Sequence, residues 1–170
     1  MTISKNQSVQ RVQQALIAAG SSARILILNE TARTAQDAAS SIGCPLGAIV
    51  KSLVFRVDDQ AVLALVSGDK QCDVAALPTA LEIVGECKRA DADLVRASTG
   101  FAIGGVAPIG HPEKLLTAID ASLGRFDVIY AAAGHPHCVF PTTLVEIIRM
   151  TGGILSKNIA AIGDKSNPPA

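Results

Sequence analysis

IVKSLVFRV (49–57), then DDQ (58–60), then AVLALVS (61–67): two β-branched, apolar runs are joined by a short acidic turn. The pattern predicts an antiparallel hairpin, and it sets the fold class for everything around it. Outward toward the N-terminus, Thr34 begins Thr-Ala-Gln-Asp, a weak capping box that predicts a helix over 35–42. Gly43, Pro45 and Gly47 end it. RILIL (24–28) reads as a short strand. Ser8 precedes apolar positions at Val9, Val12, Leu16 and Ala19, with Gly20 beyond, which predicts an opening helix capped by Ser8. Outward toward the C-terminus, DVAALPTALEIV (73–84) reads as a short helix interrupted near Pro78, and DADLVRAS (91–98) as a helix capped by Asp91 and stopped by Gly100. KLLTAID (114–120) and RFDVIYAAA (125–133) read as strands. PTTLVEIIRMTG (141–152) reads as a last helix capped by Thr142 or Thr143. Helices and strands mix without strict βαβ alternation, so the expected class is α/β of the mixed α+β kind, a curved and mostly antiparallel sheet flanked by helices.

The whole chain of 170 residues suits one domain. Residues 1–162 are expected to form it, with 163–170 (GDKSNPPA) as a flexible tail. Hydrophobic residues make up 49% and the mean hydropathy is +0.36, which excludes a disordered chain. Fifteen basic and fifteen acidic residues cancel, so no broad basic surface wraps a nucleic acid, and any such contact is local. No apolar run is long enough to span a membrane. The N-terminus lacks the apolar core of a secretory signal, and Cys44, Cys72, Cys87 and Cys138 stand singly. A cytoplasmic protein with reduced thiols is expected.

Several motifs fail on inspection. GCPLGAIVKS (43–52) lacks the glycine directly before the lysine that a phosphate loop needs, and it runs into a strand. GFAIGG (100–105) is not a dinucleotide fingerprint. His111, His135, His137 and Cys138 lack metal-ligand spacing. No GxSxG elbow is present. No cofactor and no metal are therefore expected.

Three features carry chemistry. Lys51 shares a strand face with Ile49, Leu53 and Phe55, where an ammonium is costly unless it is paired or used. The ordinary alternative is a lysine that snorkels at a sheet edge. Ser52 points to the opposite face. Gly104, Gly105 and Gly110 leave the backbone open to close approach, and a tight turn alone would also explain them. Gly134 and His135 follow a strand, where backbone amides can hold an oxyanion.

GAIVKSLVF (47–55), STGFAIGGVAPIGH (98–111) and VIYAAAGH (128–135), in that order and spacing, resemble the YbaK/ProX family. Its members are aminoacyl-tRNA deacylases related to the editing domain inserted in bacterial prolyl-tRNA synthetases. The resemblance runs from about residue 8 to 155. It implies the mixed, curved sheet of that family and a trans-editing hydrolase that cleaves the ester of a mischarged tRNA, with the tRNA for proline carrying alanine, cysteine or serine as the expected substrate. It implies Lys51 as the essential lysine, with His135 as a second candidate for base or ribose contact. Gly104, Gly105, Gly110 and Gly134 would build the substrate loops, with Phe101 as a further lining candidate. Its partners would be the acceptor end of an aminoacyl-tRNA and a prolyl-tRNA synthetase. Arg33, Lys88, Arg89 or Arg125 would give local help with the RNA. Some relatives carry a carboxylate just beyond the second glycine loop, where this chain has Pro136, His137, Cys138 and Val139. Two rival classes remain: an inactive binding module of the same fold, and a hydrolase of a small free ester.

Overall fold

A computed structural model describes residues 6–28 and 33–162. The tail from 163 onward lies outside the described residues. The hairpin forms as expected, from β2 (Ile49–Val57) and β3 (Gln60–Ser67), with Asp58 at positive φ in the turn. Its strands are apolar almost throughout because both faces are covered, and a strand buried on two sides needs no polar alternation. One face carries Val50, Val54, Leu63 and Leu65. It packs on helices α1 (Gln7–Ala18), α4 (Ala92–Thr99) and α5 (Leu144–Thr151) through Val12, Leu16, Val95 and Ile147. The other face carries Phe55, Val57, Val62, Ala64 and Val66, and it meets Leu77 and Leu81 at α3 (Leu77–Ala80).

The remaining strands extend this core. They are β1 (Leu26–Ile27), β5 (Cys87–Arg89), β6 (Leu116–Asp120), β7 (Ile129–Ala132), β8 (Cys138–Thr142) and β9 (Ile154–Ser156). The order is β1-β8-β7-β2-β3-β6-β9, with β5 also on β2. β2 pairs with β7, β3 with β6, and β6 with β9 in parallel. The β1–β8, β8–β7, β2–β3 and β2–β5 pairs are antiparallel. The expected mixed sheet is present. A small second sheet joins β4 (Lys70–Cys72) to β10 (Ala160–Ile162).

The local differences have physical causes. The first helix is capped by Asn6, whose side chain accepts from the Ser8 and Val9 amides, so Ser8 lies inside the helix. Pro141 lies just before the last helix, as expected, and belongs to a strand. It sits in β8 opposite Tyr130, beyond the two residues that β1 pairs, where its missing N–H interrupts no ladder. Thr143 is the cap. Pro78 falls in the first turn of α3, after a separate 3₁₀ turn at Val74–Ala76, and that position tolerates proline. The stretch 125–133 yields only Ile129–Ala132, because Ala121–Arg125 closes a 3₁₀ turn. Helix α2 (Ala35–Ile42) has the full capping box: the Thr34 side chain accepts from the Asp37 amide, and the Asp37 side chain accepts from the Thr34 amide. Thr34→Ala should therefore lower stability by about 1 kcal/mol in chemical denaturation.

Candidate functional site

The site begins with an unfilled place beside β2. The Gly68 amide donates to the Ile49 carbonyl at 2.7 Å, and the Ala90 amide donates to the Val54 carbonyl at 3.3 Å. Odd-numbered residues of β2 therefore bond toward β3, and even-numbered ones bond toward the opposite edge. On that edge β7 pairs with Ile49 and Val50, and β5 pairs with Phe55 to Val57. Ser52 lies between them, reached by neither strand. A cleft of about 260 Å³ opens there. Its walls come from β2, the start of α2, the end of β5, the Ile103–Gly104 turn and Pro136.

Lys51 lines this cleft and is partly buried. Its ammonium donates to the Lys70 carbonyl, which leaves two N–H groups for other partners. Burial holds its pKa below the ordinary lysine value, and the carboxylates of Asp69 and Asp120 work against that fall. Cys72 is also near, but burial pushes its thiol up to about 12, so it is uncharged at neutral pH and adds nothing there.

The surroundings of Lys51 are fixed by a polar clasp that sequence reading missed. Asp120 is 2% exposed and accepts from the Ser67 amide, the Ser122 amide and the Ser122 hydroxyl. Arg125 grips Asp69 through both terminal nitrogens, at 3.0 and 2.8 Å, and reaches the Ser67 hydroxyl at 2.9 Å. That hydroxyl bonds the Gly47 carbonyl, which ties the end of β3 to the turn entering β2. Asp69 is held below the usual carboxylate range chiefly by Arg125. A side chain at Gly47 would strike Phe126, Arg125 and Asp69 within 2.9 Å, so the clasp demands glycine there. Single Asp and Ser residues at separate strand ends and turns give no signal of this kind in a sequence. The only cue is a glycine at the strand entry.

The two glycine motifs meet in space. Gly104 lines the cleft at φ +94, and a Cβ there would stand 3.6 Å from Pro136. A Cβ on Gly105 would lie 3.0 Å from the Gly134–His135 peptide. Gly134, at φ +93, is pressed against the Ser8 backbone at the start of α1. The Gly105 amide already donates to the Ala102 carbonyl, so Gly105 supports the loop and offers no N–H to a ligand. Gly110 and Phe101 stand apart from the cleft lining. Gly110 packs near Phe101 and α1. Phe101 is fully buried beneath the Arg11 guanidinium, 4.4 Å from its ring centre.

His135 accepts from the His137 amide through Nδ1 at 3.1 Å. In the neutral ring the proton therefore sits on Nε2. Burial and the neighbouring His137 lower its pKa, which favours the neutral ring. With its lone pair engaged it is suited to donate a hydrogen bond rather than to abstract a proton. His111 is tied to the Ala107 carbonyl at 2.7 Å. Among the described residues, no group of three or more His, Cys, Asp or Glu side chains converges to hold a metal. Among them, too, no helix is long and apolar enough to cross a membrane.

Of the four cations singled out from the sequence, two stand at the cleft. Arg33 and Arg89 line it, are exposed, and form no ion pair among the described residues. Lys88 pairs with Glu86 at 3.7 Å, and Arg125 is committed to Asp69.

Residues 29–150 match the model of the aminoacyl-tRNA editing domain. The chain is 39% identical over 100 residues to a proline–tRNA ligase of Lactobacillus gasseri, covering 58% of this chain and 18% of that ligase. It is 31% identical over 115 residues to the protein YwhH of Bacillus subtilis (strain 168), covering 67% of this chain and 72% of that protein. A crystal structure presented as that of a proposed trans-editing enzyme for prolyl tRNA synthetase superposes with a TM-score of 0.84 at 37% identity, covering 89% of this chain and 96% of the other. With the matched segment spanning most of the sheet and both glycine loops, the chain belongs to the aminoacyl-tRNA editing domain family.

Proposed function

We propose that this protein is a trans-editing deacylase that hydrolyses the ester between a small non-cognate amino acid and its tRNA, with the tRNA for proline as the substrate tRNA. The observation that carries the reading is a partly buried lysine set beside an open strand edge, in a cleft whose mouth bears two arginines that form no ion pair among the described residues. An aminoacyl ester is already activated, so the site must hold it, place a water and stabilise the developing oxyanion. The Lys51 ammonium supplies positive charge at the ester, and the Gly104 amide contributes a donor from the opposite wall. Water attacks the carbonyl carbon, the bond to the ribose oxygen breaks, and that oxygen leaves with a proton. His135, donating through Nε2, contacts the ribose rather than serving as the base. Arg33 and Arg89 meet the phosphates of the acceptor end, which suits a neutral protein that touches RNA only locally. The cleft's small apolar walls exclude larger side chains by clash.

The test is a deacylation panel of alanyl-, cysteinyl-, seryl- and prolyl-tRNA on the proline acceptor. Hydrolysis of one or more small non-cognate esters with prolyl-tRNA spared is the expected result. No hydrolysis of any of them by the folded protein would overturn the reading in favour of an inactive binding module. Equal turnover of simple amino acid esters would favour a small-ester hydrolase.

A further inference from the structure

The cleft contains a polar group that this chemistry leaves unused. The Ser52 hydroxyl oxygen is buried and has no hydrogen-bond partner among the described residues. On the same strand face its neighbours are Val50 and Val54, and Val95 and Val106 stand across the cleft. A hydroxyl left unmet in such surroundings is costly, and a ligand that meets it recovers that cost. The main chain at this residue is equally open, since its N–H and C=O face the edge that neither β7 nor β5 reaches. In an antiparallel ladder, a residue placed opposite Ser52 would exchange both backbone bonds with it. The side chain of that residue would stand on the same face as the Ser52 hydroxyl, its Cβ about 5 Å away. An aminoacyl group has the polar groups of one such residue: an ammonium that donates to the Ser52 carbonyl, and an ester carbonyl that accepts from the Ser52 amide.

We infer that the aminoacyl group docks on β2 as a single added strand residue paired with Ser52, and that the Ser52 hydroxyl hydrogen-bonds the hydroxyl of a seryl side chain, making serine the favoured amino acid. This rests on the deacylase reading and narrows its substrate. An alanyl group fits the same place but leaves the Ser52 hydroxyl unmet, so discrimination comes from one buried hydrogen bond. A prolyl group has a ring on its nitrogen and fewer N–H donors, which makes it a poor strand residue.

The probes are 3′-seryl-amido-adenosine and 3′-alanyl-amido-adenosine, in which an amide replaces the ester and no cleavage occurs. Calorimetry should show the wild-type protein binding the seryl probe about tenfold more tightly than the alanyl probe. Ser52→Ala should bring that ratio close to one, and Ser52→Thr, which keeps the hydroxyl, should retain the preference. In amide-resolved NMR spectra the Ser52 N–H should shift downfield with either probe. A ratio unmoved by Ser52→Ala, a stationary Ser52 amide, or failure of both probes to bind overturns the inference. The readout is independent of turnover. Loss of all ester hydrolysis would sink the deacylase reading, whereas intact hydrolysis with an unmoved binding ratio would sink only the Ser52 assignment.

Discussion

Lys51→Met is expected to reduce deacylation at least about a hundredfold, the scale on which removal of a preorganised charge acts in a transition state. Methionine keeps most of the aliphatic stem in place, so the sheet around it should be undisturbed. Stability should hold or rise, because an ammonium no longer has to be desolvated beside Leu53 and Phe55. The pH dependence has a definite sign. Burial holds the Lys51 pKa below 10.5 in the folded state. Between the lowered value and 10.5, the unfolded chain binds a proton that the folded one has released, so wild-type stability rises with pH across that window. The Lys51→Met variant lacks this rise. Activity runs the other way: the ammonium is lost as pH climbs through the lowered value, and the alkaline limb of kcat/KM falls earlier than an ordinary lysine would give. Single-turnover rates and denaturation curves at matched pH check both. Retained turnover in the variant would remove Lys51 from the chemistry.

The second large effect is on architecture. Gly134→Ala puts a Cβ where L-residues strain, at φ +93, and within 2.7 Å of the carbonyl group of Ser8. Backbone on both sides cannot rotate away, so either the loop or the start of α1 must move. A loss of about 2–4 kcal/mol is expected, a fall in Tm of roughly 5–15 °C. Gly104→Ala is the internal control, at nearly the same φ but with only Pro136 among the described residues within 4 Å. It should lose only the strain, about 1 kcal/mol. Equal stability of the two variants would show that contact with α1 does not constrain the second glycine loop.

How far the sequence is legible depends on how many residues share a signal. The hairpin and helices α2, α4 and α5 announce themselves, because long apolar runs and caps such as Thr34 and Asp91 repeat the message several times. Strands β4, β5, β9 and β10 have three residues each, too short for a periodicity: β5 and β9 add to the longer β2 and β6, and β4 and β10 pair with each other. Lys51 is legible as a charge among aliphatics, and both glycine loops are legible as motifs. Their meeting at the Gly105–Gly134 contact is not, since some thirty residues separate them. Ser52 reads as a bystander in the sequence because it faces away from Lys51. The face is right, but the cleft lies at the strand's edge and takes in both sides of it. A signal is present all the same: Ser52 is the polar position between Val50 and Val54 on a face that is otherwise buried. The Asp69–Arg125 clasp has no such mark beyond Gly47, because its members lie at strand ends and in turns and are joined only by the fold.

The parallel pairing of Ile49 with Tyr130 has a consequence for the order of folding. It closes about 80 residues of chain, a non-local contact that forms slowly compared with a two-residue hairpin turn. The β2–β3 hairpin can be complete while β7 is still unplaced. At that stage Lys51 and Ser52 lie along an uncovered strand edge, with neither the cleft nor the second glycine loop in existence. During synthesis the competent site therefore cannot arise until the chain is exposed through about β8. A refolding experiment should find hairpin protection appearing well before ligand binding, and the last kinetic phase should be the one that creates the cleft.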